Sequence, residues 1–96
     1  MERINTLIKK TLSEMILEEM NGNFITIMDV DTKSDLSSAV VIVSALENEE
    51  EVVEQLNTKS SHFRANLGKR VRLKKTPKLI FKKDLSKSLY EKLNRL

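Results

Sequence analysis

The only histidine of the chain, His62, directly follows Ser60 and Ser61, and this is the one place where a nucleophile and a base stand side by side. A serine nucleophile needs a base at hydrogen-bonding distance and a third group that orients the base. Adjacency along the chain does not provide that geometry, and no orienting group is evident. We interpret the two serines as an interruption between helices, since serine is a modest helix former and a good N-cap residue. No enzymatic activity is predicted.

Asp29, Asp31 and Asp35 are candidates for a calcium-binding loop, but a loop that opens at Asp29 would need Asp or Asn at its fifth position, where the chain has Lys33. Such a loop would need Gly at its sixth position, where the chain has Ser34, and Glu at its twelfth, where it has Val40. The three aspartates are therefore interpreted as turn-forming residues of a hairpin. The two glycines of the chain stand too far apart for a phosphate-binding loop, so neither a metal nor another cofactor is predicted.

The strongest functional pattern is the basic segment 59–83, which holds ten Lys and Arg residues and no Asp or Glu. Over positions 70–82 apolar and basic residues alternate, which is typical of a β-strand with one buried and one exposed face. A short helix that ends at Gly68 is predicted before this strand. We interpret the segment as a polyanion-binding surface. Its candidate RNA-contacting residues are Lys59, Ser60, Ser61, His62, Arg64, Lys69, Arg70, Arg72, Lys74, Lys75 and Lys78.

The small number of aromatic residues limits which parts of a nucleic acid this surface can contact. Phe24, Phe63 and Phe81 are all predicted to lie in the core, so stacking of bases on aromatic side chains is not predicted. We expect recognition of structured RNA or DNA through its backbone and shape, with strong salt dependence. Five glutamates within residues 47–54 place acidic charge elsewhere on the surface, which favours oriented binding.

Length and composition predict one domain for the 96 residues. Without cysteine, the chain has no disulfide and no thiolate metal site. No apolar run approaches the roughly 20 residues needed to cross a bilayer, and the first residues lack the apolar core of a signal peptide. We expect a cytoplasmic protein that uses no membrane and no small-molecule substrate.

An amphipathic helix and a hairpin are predicted in the first half of the chain. Apolar residues recur every three or four positions over residues 3–20, and Asn21-Gly22 is a typical helix end. Residues 24–31 and the apolar run 39–43 are predicted strands joined by a polar turn. A continuous apolar run is typical of a strand that is covered on both faces or lies at the centre of its sheet.

Two helices and a third strand are predicted in the second half. Asn48 and Glu51 have the spacing of a capping box, and Ser60-Ser61 separates the helix that follows them from a shorter one. A strand reached through a helical crossover normally returns parallel, so the third strand should lie parallel to the second. Pro77 favours an edge position. Residues 85–96 have leucines at helical spacing and are interpreted as a C-terminal tail or short helix.

Several segments have a familiar order and spacing: ITIMDVD at 25–31, DL at 35–36, AVVIVS at 39–44, RANLGKRVRL at 64–73 and PKLIF at 77–81, with Asp84 and Ser86. They resemble the ribosome-binding factor A family of bacterial small-subunit assembly factors. The resemblance implies an α+β fold with a single KH-like type II domain over residues 1–84. Its order is α-β-β-α-kink-α-β, with a three-stranded mixed sheet and helices packed on one face. The family has a kink resembling Ala-x-Gly, and Lys59-Ser60-Ser61 stands at those positions.

The resemblance also implies partners and a role. It implies binding to the free 30S ribosomal subunit and its 16S rRNA, help in late maturation of that rRNA around its 5′ region, and an association with cold adaptation. A monomer is expected off the ribosome. One alternative is a basic module that docks an acidic protein partner. Another is a small DNA-binding domain, which is weaker because no helix-turn-helix recognition helix is visible.

Overall fold

The computed structural model describes residues 2–20 and 24–85, which form three helices and three strands in the predicted order. They are α1 (Glu2–Glu19), β1 (Ile25–Thr32), β2 (Ser38–Ala45), α2 (Glu49–Thr58), α3 (Ser60–Arg70) and β3 (Lys78–Lys83). In these two ranges no helix has the length and apolar character needed to cross a membrane. The predicted helix end at Asn21-Gly22 and all but the first residue of the predicted C-terminal tail lie outside the described residues.

The sheet has the strand order β1-β2-β3, with β1 antiparallel to β2 and β2 parallel to β3. The predicted α+β class with a three-stranded mixed sheet is therefore confirmed. The central position of β2 accounts for its continuous apolar run. Buried and half-buried residues alternate along β2, because the helices pack on one face of the sheet. On that face the buried side chains of Val41 and Phe81 are direct neighbours across the parallel strands.

The core lies between this face and the helices, and Phe63 of α3 is its largest fully buried side chain. The rings of Phe63 and Phe81 meet edge to face, with 5.9 Å between their centroids. The prediction that Phe24 also lies in the core is wrong, since this residue is 71% exposed. Phe24 precedes β1 and has a left-handed backbone (φ 50°), so it lies outside the strand in which Ile27 and Val30 are buried.

The start of α2 differs from the predicted capping box. Asn48 has a left-handed backbone (φ 52°, ψ 43°), and its side chain makes no capping hydrogen bond. A capping side chain normally extends from a β-region backbone, whereas the left-handed conformation, which Asn tolerates, leaves the side chain outside that geometry. Glu49 instead stabilises the connection between β2 and α2, because its Oε2 accepts a hydrogen bond from the Ala45 N–H at 3.1 Å.

Of the three aspartates predicted to form turns, only Asp35 lies in the hairpin loop. Its Oδ1 accepts a hydrogen bond from the backbone N–H of Ser37 at 3.0 Å, and hydrogen bonding by Ser37 lowers the pKa of this carboxyl group. Asp29 and Asp31 lie within β1 with exposed side chains, because the strand continues to Thr32. Their predicted role in the turn is therefore wrong.

The basic segment is not a strand over its whole predicted length. α3 continues to Arg70, and β3 begins only at Lys78. Lys78 is the partner of Ser38, the first residue of β2, so β2 offers no partner to residues 71–77. Pro77 also lacks the N–H that a ladder needs. Residues 71–77 form an irregular connection in which Arg72 and Lys74 are exposed, as their alternation with apolar residues predicted, and Lys75 is exposed as well.

β3 is an edge strand, and the junction between α2 and α3 covers its outer edge. Asn57 in α2 donates to the carbonyl of Phe81 and accepts from the Phe81 N–H, both at 2.9 Å, as a neighbouring strand would. Ser60, the first residue of α3, donates its hydroxyl to the carbonyl of Leu79 at 2.5 Å. Between the helices the chain turns at Lys59 (φ −92°, ψ 8°), which confirms the predicted kink.

Replacing Asn57 with Ala should leave both backbone groups of Phe81 without their side-chain partner at a partly buried position. An unpaired buried polar group costs about 1–3 kcal/mol, so we expect Asn57→Ala to lower the free energy of unfolding by about 2 kcal/mol or more. Urea denaturation followed by circular dichroism measures this change. Gln55→Ala, an exposed substitution on the same helix, is the control. Equal losses in the two variants would contradict the role given to Asn57.

Candidate nucleic-acid interface

The packing of α3 determines which of its side chains reach solvent. Phe63 and Leu67, one turn apart, are buried. In a helix of 3.6 residues per turn this places Ser61 and Ala65 on the opposite, exposed side. Short side chains here leave the helix backbone accessible to a large ligand. Lys69 lies further along the exposed side in the last turn, where the helix dipole favours positive charge.

The connection 71–77 lies along one flank of α3. The Nε of Arg64 donates to the carbonyl of Thr76 at 3.0 Å. Gly68 follows one turn later, and a Cβ at this position would come within 3.0 Å of the Thr76 Oγ1. The prediction that the helix ends at Gly68 is therefore wrong, since α3 continues to Arg70. Gly68 is instead a place where the connection approaches α3 closely. Thr76 was not predicted as part of the site, and the one sequence signal for it is a glycine inside a helical pattern.

Together α3 and the connection form one exposed basic surface, which we call the α3–loop surface. Its cations are Arg64, Lys69, Arg72, Lys74 and Lys75. No acidic residue occurs between residues 59 and 83, so these charges have no compensating neighbour in the sequence. Ammonium and guanidinium groups bind phosphate oxygens, and arginine can do so through two parallel hydrogen bonds. The surface is therefore suited to a phosphate backbone.

Four of the predicted contact residues lie at the kink or on the sheet. Lys59 and Ser61 are exposed at the kink, adjacent in the chain to the α3–loop surface. Ser60 does not share this exposure, because its hydroxyl is directed to the carbonyl of Leu79. Lys78 is exposed, and its alternation with the buried Leu79 places it on the sheet face opposite the helices. The structure thus separates Lys78 from the cations of α3.

His62 and Arg70 occupy the other flank of α3, which faces α1. The Nη2 of Arg70 donates to the Glu18 Oε2 at 3.0 Å, and this hydrogen bond raises the pKa of the Arg70 guanidinium. His62 hydrogen-bonds to Glu19. Two of the predicted RNA contacts are therefore already paired with carboxylates of α1. The sequence gives no signal for these pairs, since the partners are 52 and 43 residues apart.

The fold and this site define a class of protein: a KH-like type II domain with a kink between α2 and α3 and a basic surface beside it. The chain belongs to the ribosome-binding factor A family, whose family model, described as Ribosome-binding factor A, matches residues 1–96. Ribosome-binding factor A of Natranaerobius thermophilus is 34% identical over 101 residues, covering 99% of this chain and 77% of that protein. The Trichodesmium erythraeum protein of the same name is 35% identical over 92 residues, covering 88% and 67%.

Solved structures of the family have the same fold. The crystal structure of ribosome-binding factor A from Thermus thermophilus has a TM-score of 0.79 at 26% identity, covering 85% of this chain and 93% of that chain. A homology model of Thermus thermophilus ribosome-binding factor A, fitted into the cryo-EM map of its 30S complex, has a TM-score of 0.73 at 26% identity, covering 84% and 91%.

Gly68→Ala tests the close approach of the connection to α3. Alanine in place of a helical glycine normally stabilises a protein by about 1 kcal/mol, but the new Cβ would here lie 3.0 Å from the Thr76 Oγ1. We expect the variant to gain less than this amount, and to gain it fully in a Thr76→Ala background, where Oγ1 is absent. A double-mutant cycle of unfolding free energies measures the coupling. Simple additivity would show that the two residues do not constrain each other.

Proposed function

We propose that this protein is a non-catalytic assembly factor that binds the free 30S subunit and its 16S rRNA. Family membership supports the proposal, because a relative of the same fold has been fitted into a 30S complex. For this chain, the observation that carries it is the α3–loop surface, whose five exposed cations belong to a stretch of sequence that contains no acidic residue.

Contact with RNA would be made through phosphates and not through bases. Arg72, Lys74 and Lys75 project from an irregular connection, so their side chains can reach a backbone that lies along α3. Phe63 and Phe81 are buried, so neither ring is available to stack on a base, and the exposed Phe24 precedes β1 and is not part of the α3–loop surface. Neutralising phosphates releases counterions, and affinity should therefore fall steeply as salt rises.

The proposal extends to the role on the ribosome. Residues 1–84 would form the RNA-binding unit, which acts as a cytoplasmic monomer and assists late maturation of 16S rRNA around its 5′ region. Such a role requires binding only. A helix–kink–helix unit that is held to β3 by hydrogen bonds can stabilise one rRNA conformation without making or breaking a covalent bond. Family membership and the hydrogen bonds of Asn57 and Ser60 to β3 support this part of the proposal.

Sedimentation of cell extract through a sucrose gradient tests the partner. The protein should travel with free 30S subunits at low salt and dissociate from them as salt rises. Its absence from the 30S fractions at low salt would refute the proposal. A nuclease-resistant complex with an acidic protein, and no rRNA, would show that the basic surface docks a protein instead.

Charge reversal on the connection tests the surface. Arg72→Glu with Lys74→Glu should weaken 30S binding and leave circular dichroism unchanged, because both side chains are exposed. Each lost phosphate contact should flatten the log–log salt slope by roughly one unit, so we expect a change of up to roughly two. Arg3→Glu with Lys10→Glu, on exposed positions of α1, is the matched control. Equal flattening in both variants would place the contact elsewhere.

A further inference from the structure

The last turn of α1 is acidic, although a helix C-terminus favours positive charge. Glu18 and Glu19 both lie in this turn, which contains no basic residue. The helix dipole places partial negative charge at the same end, so the two carboxylates are locally unfavourable. The stability of α1 alone therefore does not account for them, and their contacts with other elements become the relevant observation.

Both carboxylates contact α3. Glu18 binds Arg70 with 3.0 Å between Oε2 and Nη2, and Glu19 hydrogen-bonds to His62. His62 also lies 3.2 Å from the Nδ2 of Asn66 through its Nε2. His62, Asn66 and Arg70 recur every four residues, so they form a single flank of the helix. This flank lies directly beside the α3–loop surface.

The Arg70–Glu18 ion pair and the His62–Glu19 hydrogen bond are both open to solvent. The side chains of Arg70 and Glu18 are 42% and 59% exposed, and those of His62 and Glu19 are 53% and 31% exposed. Water and salt screen such pairs, so they contribute little to folding stability. A phosphate that approached this flank, however, would meet two carboxylates at short range. The effect of the pairs on an anionic ligand should thus exceed their effect on the fold.

We propose that Glu18 and Glu19 form one boundary of the nucleic-acid interface. They engage Arg70 and His62 and repel phosphates, so that the RNA backbone is confined to the α3–loop surface. This inference rests on the proposed function and deepens it, because it names the residues that decide which cations contact rRNA. Lys69 and Arg70 are neighbours in the sequence, yet only Lys69 is then available to a phosphate.

Glu18→Gln with Glu19→Gln removes the boundary charges and keeps the size of the side chains. Arg70 then becomes available to a phosphate, so the log–log salt slope for binding a 16S rRNA transcript should steepen by roughly one unit. The gain in affinity over the wild type should accordingly be roughly fourfold larger at about 50 mM than at about 200 mM salt. Glu50→Gln with Glu54→Gln is the control. This control variant also removes two negative charges, but it does so on α2, which packs against β2, β3 and α3.

Adding Arg70→Gln to the double variant assigns the gained contact. The slope should return to its wild-type value, with circular dichroism confirming that each variant is folded. The proposed boundary is refuted by any of three results: the salt slope of the double variant does not steepen, it stays steep after Arg70→Gln is added, or the slope of the control variant steepens equally. If the wild-type protein binds the transcript in any of these cases, only the boundary is refuted and the proposed function still stands. A wild-type protein that does not bind the transcript overturns both proposals.

Discussion

The hydrogen bonds that close the outer edge of β3 are the constraint on which the rest of the structure depends. An edge strand carries backbone groups that lack a neighbouring strand. Here Asn57 satisfies the N–H and the carbonyl of Phe81, and Ser60 satisfies the carbonyl of Leu79. The two side chains come from different helices, and both must reach the same strand. The chain therefore turns at Lys59, and this turn sets the direction in which α3 leaves the junction.

The direction of α3 in turn distributes its side chains among different neighbours. Phe63 and Leu67 fill the core, the Arg64 flank holds the connection through Thr76, and the Arg70 flank meets the acidic end of α1. The exposed side between these flanks is left with short side chains and Lys69. A single helix thus contributes to the core, positions the basic connection and separates the cations of the α3–loop surface from Arg70, which is paired with α1. The basic character of the surface is a result of packing as much as of composition.

Apolar spacing, with the help of helix-capping and turn residues, predicted the helices and the hairpin, because these features depend on local burial. The parallel third strand was predicted from the rule that a helical crossover normally returns parallel. The strand predicted over 70–82 was too long for a non-local reason, since only residues 78–82 of it lie in β3. Alternating exposure arises in any extended chain that lies on a core, whereas a strand also needs a partner, and β2 begins only opposite Lys78. Likewise, His62 and Arg70 can be recognised in the sequence as candidate contacts, but their pairing depends on carboxylates of a distant helix. The kink was predicted from the capping tendency of serine, although Ser60 bonds to a strand 19 residues away.

The opposite edge of the sheet has its own means of preventing further pairing. The register of β1 shifts between Ile27 and Asp29, and the side chain of Asp31 is exposed beyond the shift. Near its end, the Thr32 N–H donates to the Asn5 Oδ1 at 3.0 Å. Irregular register and exposed charge both hinder the addition of another strand. The outer edge of β3 is closed by side chains of α2 and α3, so neither edge of this small sheet is a good template for aggregation. The protein can therefore present a strongly charged surface to a large ligand without also presenting a strand edge open to pairing with another chain.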